Sequence, residues 1–127
     1  MAGFDMDQHG VATVQFEDGQ GNPTAGPNDS VTGNPVVPNI TSDNAAVATA
    51  GAVAAGAMPG LFTCQFTPVS VGTFNAAVQP LVNSDGSTIL ETEGPNAGQP
   101  FTMPAPIAVT VAAGVADVMT FAVTAGP

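Results

Sequence analysis

The chain contains no lysine and no arginine. In an average domain about an eighth of the residues are cationic, so 127 residues without one are a marked departure. Ten carboxylates set the formal charge at −10, and His9 is the one side chain able to carry positive charge. No carboxylate can pair with Lys or Arg, so the fold cannot rest on such ion pairs. Non-specific nucleic-acid binding is driven by basic side chains that neutralise phosphates, and this chain has none to offer. Attraction to anionic lipid fails for the same reason. Nucleic acid and membrane surfaces are therefore not expected partners, and any partner steered by charge must be positive.

Other absences narrow the reading further. Trp and Tyr are missing, and Leu occurs only at positions 61, 81 and 90. Good helix formers are scarce throughout. Cys64 stands alone, so an intrachain disulfide is excluded. The longest apolar stretch, residues 45–58, is interrupted by glycine and too short to span a bilayer. The first ten residues show neither a basic n-region nor an apolar h-region. The expectation is synthesis in the cytosol without a secretory signal.

Val, Thr and Phe are plentiful, and these residues favour strands. Twelve prolines and fifteen glycines punctuate the chain at short intervals, the pattern of many short strands joined by turns. The expected class is all-β: a single domain over residues 1–127, built as a sandwich of seven to eight short antiparallel strands.

Residues 11–18 alternate, with Ala12, Val14 and Phe16 as the inner face. Asp18-Gly-Gln-Gly-Asn-Pro23 then ends that strand. One short strand is expected near Val31 and Val36-Val37. Residues 39–49 read as a strand, an Asp/Asn turn and a second short strand. Residues 61–67 and 71–81 form the clearest pair. In the first of these, Phe62, Cys64 and Phe66 share a face, which makes Cys64 a buried thiol. In the second, Phe74, Ala76 and Val78 share one. Asn83-Ser-Asp-Gly-Ser87 is a turn. Residues 1–10 read as an N-terminal extension, and the Pro/Gly-rich residues 92–106 as an extended loop or arm. Two final strands follow at 107–112 and 118–124, the latter with Met119, Phe121 and Val123 on one face.

The segment Ile40-Thr-Ser-Asp-Asn-Ala-Ala-Val-Ala-Thr49 resembles a bacterial immunoglobulin-like domain of the intimin/invasin type. Gly60-Leu-Phe-Thr63, Val71-Gly-Thr-Phe-Asn-Ala-Ala-Val78 and Ile107-Ala-Val-Thr-Val111 follow in the order of that family. Ile40 replaces the usual Trp, and residues 50–59 look like an Ala/Gly insertion. The resemblance implies an immunoglobulin-like sandwich with no catalytic residues. Such domains occur in cell-surface adhesins and in the head and tail proteins of tailed bacteriophages.

Several acidic clusters have the chemistry to bind Ca²⁺: Asp5 with Asp7, Glu17-Asp18 with Asn22, Asn28-Asp29, Asp43-Asn44, Asn83 with Asp85, and Glu91 with Glu93. None follows the spacing of a calcium loop, and Asp and Asn ordinarily close turns through their own backbone. No metal site and no cofactor are expected. Glu91 and Glu93 have the two-residue spacing of an acid–base pair on a strand, but nothing else supports an enzyme. Phe101 and Met103 are large apolar groups in a proline-framed segment, read either as anchors for a neighbouring subunit or as a fold-back over one end of the sandwich. Phe4 and Met6 are a second candidate contact, or simply part of a frayed end.

The functional expectation is a non-enzymatic structural protein of a virus particle. It would be a phage capsid decoration protein on the outer shell, with the major capsid protein or another shell protein as partner and self-association left open. The alternative is an adhesin or carbohydrate-binding module, weakened by the absence of Trp and Tyr.

Overall fold

The computed structural model describes residues 2–92 and 94–114, together with Met119, Val123 and Ala125. Among these residues there are seven strands and no helix: β1 Ala2–Asp5, β2 Gly10–Gln15, β3 Ile40–Ser42, β4 Ala48–Ala55, β5 Leu61–Pro68, β6 Gly72–Val78 and β7 Ile107–Ala112. They form two sheets, ordered β1-β7-β6-β3 and β2-β5-β4. All pairings are antiparallel except β1 with β7, which is parallel. The molecule is thus all-β and sandwich-like, with one parallel edge in place of a wholly antiparallel set.

The sheets enclose a core of Ile40, Val47, Ala48, Cys64, Phe66, Phe74, Val109 and Val111. Phe74 lies at its centre, with ring centroids 5.1 Å from Phe66 and 6.2 Å from Phe4. The inner faces read from the sequence hold. Phe62, Cys64 and Phe66 are buried on β5, and Ala12, Val14 and Phe16 are half-buried on or just beyond β2.

Four expectations change. Residues 61–67 and 71–81 do not pair, because β5 and β6 lie in opposite sheets. Each carries one apolar face, and facing each other across the core buries both. The crossing is tight, since the backbone N–H groups of Val69 and Ser70 both donate to the Val47 carbonyl, at 2.8 and 3.2 Å. The segment read as an N-terminal extension contains β1, whose Phe4 is drawn against Phe74. No strand forms near Val31. Pro27, Pro35 and Pro38 remove ladder donors, leaving a single bridge between Asn28 and Pro35 while Val36 and Pro38 are buried. The Ala/Gly insertion is in large part strand, because β4 runs to Ala55 with a bulge between Ala50 and Val53.

Beyond β6 the chain builds a second apolar cluster, in which Val36, Leu81 and Ile89 are covered by Phe16, Phe101 and Met103. The turn at residues 83–87 forms as expected, framed by a Val82–Thr88 bridge. The expected strand at 118–124 lies outside the described residues, apart from Met119 and Val123.

Candidate functional site

The acidic clusters resolve into turns. Asp18 Oδ1 accepts the backbone N–H groups of Gln20 at 2.8 Å and Asn22 at 3.0 Å. Asp29 Oδ1 accepts from Val31 at 2.8 Å, and its Oδ2 accepts from Ser84 at 2.8 Å, which ties two loops together. Asp43 takes the Asn75 backbone N–H at 2.7 Å and its Nδ2 at 2.8 Å, fixing the turn after β3 against β6. Asp85 Oδ1 accepts the Ser87 hydroxyl at 2.6 Å and its backbone N–H at 3.0 Å.

These bonds favour the ionised form, so each of the four carboxyls is held below the usual aspartate value. The backbone N–H of Asn22 contributes most at Asp18, that of Val31 at Asp29 and that of Asn75 at Asp43. At Asp85 the Ser87 hydroxyl leads, opposed by burial and by the charge of Asp29. Among the described residues no three His, Cys, Asp or Glu side chains gather to hold a metal ion. Asp18 and Asp85 close their own turns, Asp29 closes a turn and ties it to a second loop, and Asp43 ties its turn to β6. Glu93, the partner proposed for Glu91, lies outside the described residues.

The four residues singled out as contacts fall in two separate places. Phe4 and Met6 are half-buried against the main core, and the Met6 backbone N–H donates to the Ala112 carbonyl at 2.9 Å. Phe101 and Met103 are half-buried over the second cluster, where the Phe101 ring stands edge-on to Phe16 at 6.1 Å. The described residues of 92–106 form turns and a bridge from Pro100 to Leu90, but no strand. Phe101 and Met103 thus each pack one side of the chain's own second cluster.

Sequence reasoning missed a different feature. Among the described residues the sandwich is open along one side, between β1 at the end of one sheet and β2 at the end of the other. An apolar cleft of about 140 Å³ lies there, floored by Phe4, Phe66, Ala76 and Val109. Val11 and Ile107, both more than half exposed, stand at its rim. Gly10 is needed beside it, since a Cβ at that position would run into the Phe4 ring. The available signal was the clustering of small residues, Ala2, Gly3, Gly10 and Ala12, in the two segments flanking the first turn.

No family model, curated protein or solved structure matches this chain.

Proposed function

We propose that this chain is a non-enzymatic structural protein of a virus particle: an immunoglobulin-like decoration domain on the outer surface of a bacteriophage capsid. The observation that carries the reading is a sandwich-like domain with a formal charge of −10 and no basic side chain except His9. Such a surface is repelled by packaged nucleic acid and faces away from it. Its hold on a shell protein is apolar and hydrogen-bonded.

The topology supports the immunoglobulin-like part. Taking β2, β5 and β4 as strands B, E and D, and β7, β6 and β3 as G, F and C, reproduces the sheet order of that fold. β1 is then an edge strand alongside G. The resembling segments also fall in register with elements, with residues 40–49 spanning β3, its turn and the start of β4, and Val71–Val78 covering β6. The adhesin alternative gains nothing, because every described Phe is buried or half-buried and none is free to stack on a sugar.

The test is fractionation of native lysate by size, with detection after Glu-C or chymotrypsin digestion, because trypsin has no Lys or Arg at which to cut. The expected result is the chain at stoichiometric level in virus-sized particles, retained at about 1 M salt, where screening is nearly complete. Recovery only as a small soluble species overturns the reading.

A further inference from the structure

We propose that the cleft between β1 and β2 receives residues 117–124 of a second copy of this chain, so that two copies exchange C-terminal strands. This stands independently of the virion reading.

The cleft sets the requirement. Among the described residues β1 is bonded only to β7 and β2 only to β5, so each is a terminal strand of its sheet. An unpaired strand edge above an apolar floor is the setting in which an added strand docks, its backbone completing the ladder and alternate side chains filling the floor. The occupant must therefore alternate apolar residues with a period of two. It must also carry little negative charge, because the chain has no Lys or Arg with which to meet it.

One segment of the sequence meets both conditions. In Asp117-Val-Met-Thr-Phe-Ala-Val-Thr124, Met119, Phe121 and Val123 alternate with Thr120 and Ala122, and the seven residues after Asp117 are uncharged. As a strand those seven residues reach about 23 Å, enough to run the length of the six-residue β2.

Met119 and Val123 are 93% and 81% exposed, the most exposed of the described large apolar side chains. Two apolar side chains at alternate positions are thereby free to fill the floor of such a cleft. The chain also departs from the right place, for after β7 it passes Gly114, where a Cβ would strike the Asp7 carboxylate in the turn between β1 and β2. Each tail thus starts at one end of a cleft. Two copies exchanging tails make a closed, two-fold contact that consumes both clefts and both tails.

Electrostatics gives the contact a signature. Each copy carries −10, whereas the cleft lining and the donated residues 118–124 are uncharged. Salt screens the repulsion between copies without weakening the contact itself, so association tightens as salt rises.

The experiment is sedimentation equilibrium on the full chain at about 0.05 M and about 0.5 M NaCl. A dimer that tightens with salt is expected. Met119→Asp with Val123→Asp in the tail, or Val11→Asp at the cleft rim, should each weaken it on the order of tenfold or more. Unchanged far-UV circular dichroism and Cys64 protection would show that the variants remain folded. Mixing the tail variant with the rim variant should restore heterodimer, because one intact tail then meets one intact cleft. A monomer up to the solubility limit overturns the proposal, as does a dimer indifferent to both variants. A monomer that the tail variant destabilises places the segment on its own cleft and overturns the exchange.

Discussion

Asn83 Oδ1 accepts the backbone N–H of Ser30 at 2.8 Å, joining loops 53 residues apart. Asn83 is 8% exposed and is the buried polar residue of the described structure. Its Nδ2 donates to the Ser87 hydroxyl at 3.1 Å and its backbone N–H to the Ser87 carbonyl at 2.8 Å. Asp29 reinforces the junction from the other side through the Ser84 backbone. Two segments with no strands of their own are thereby tied together beside the second apolar cluster.

Asn83→Ala should destabilise the fold by about 1–3 kcal/mol, because the Ser30 N–H loses a largely buried acceptor. Ser87→Ala, at an exposed position, should cost less than about 1 kcal/mol. Urea unfolding followed by far-UV circular dichroism measures both. Equal effects for the two variants would contradict the assignment.

The chain has no Trp or Tyr to report on folding, but Cys64 can do so. The thiol is buried, its Sγ lies 3.4 Å from the Gly51 carbonyl oxygen it donates to, and burial pushes its pKa up. Its reaction with a disulfide reagent should be slowed on the order of 10³-fold or more in native buffer relative to denaturant, and should track global opening. Reaction at the denatured rate under native conditions would show that β5 is not packed as described.

Stability should fall in acid. Asp43 accepts two bonds from Asn75 and is held below the ordinary value of 3.8, as are Asp18 and Asp85 by their own turns and Asp29 by Val31 and Ser84. A carboxyl depressed in the folded state stabilises above its unfolded pKa, and that contribution is lost as pH falls through the lower folded value. The loss should begin near about pH 5 and continue below the ordinary value. Melting curves at about 0.5 M salt, where charge repulsion is muted, should show a shallower acid slope for Asp43→Ala than for the parent chain. An identical slope would exclude the Asn75 bonds as a source of pH dependence.

Alternation was legible wherever one face of a strand is buried and the other wet. Phe62-Cys64-Phe66 and Ala12-Val14-Phe16 could be placed on their faces because a slip of one residue would expose the whole set. Turn chemistry was legible for the same local reason at Asp18 and Asp85, which bond backbone groups two to four residues away, whereas the bonds of Asp43 to Asn75, 32 residues away, were not. Composition alone excluded internal Lys or Arg ion pairs and basic-patch recognition, because a missing residue type is missing in every conformation.

Partner choice was not legible. Nothing local in β5 distinguishes a neighbour in its own sheet from one across the core, and the tertiary structure set it opposite β6 because facing apolar surfaces bury each other. β1 escaped detection because four residues, Ala-Gly-Phe-Asp, carry too short a pattern; parallel pairing with β7 and the Phe4–Phe74 contact make them a strand. Phe101 and Met103 read equally as anchors or cover in the sequence, because the cluster of Val36, Leu81 and Ile89 against which they pack exists only in the folded chain. The open side between β1 and β2 is likewise a property of sheet order. Charge and periodicity are carried by the chain, whereas pairing and vacancy arise only when residues distant in sequence compete for the same apolar surface.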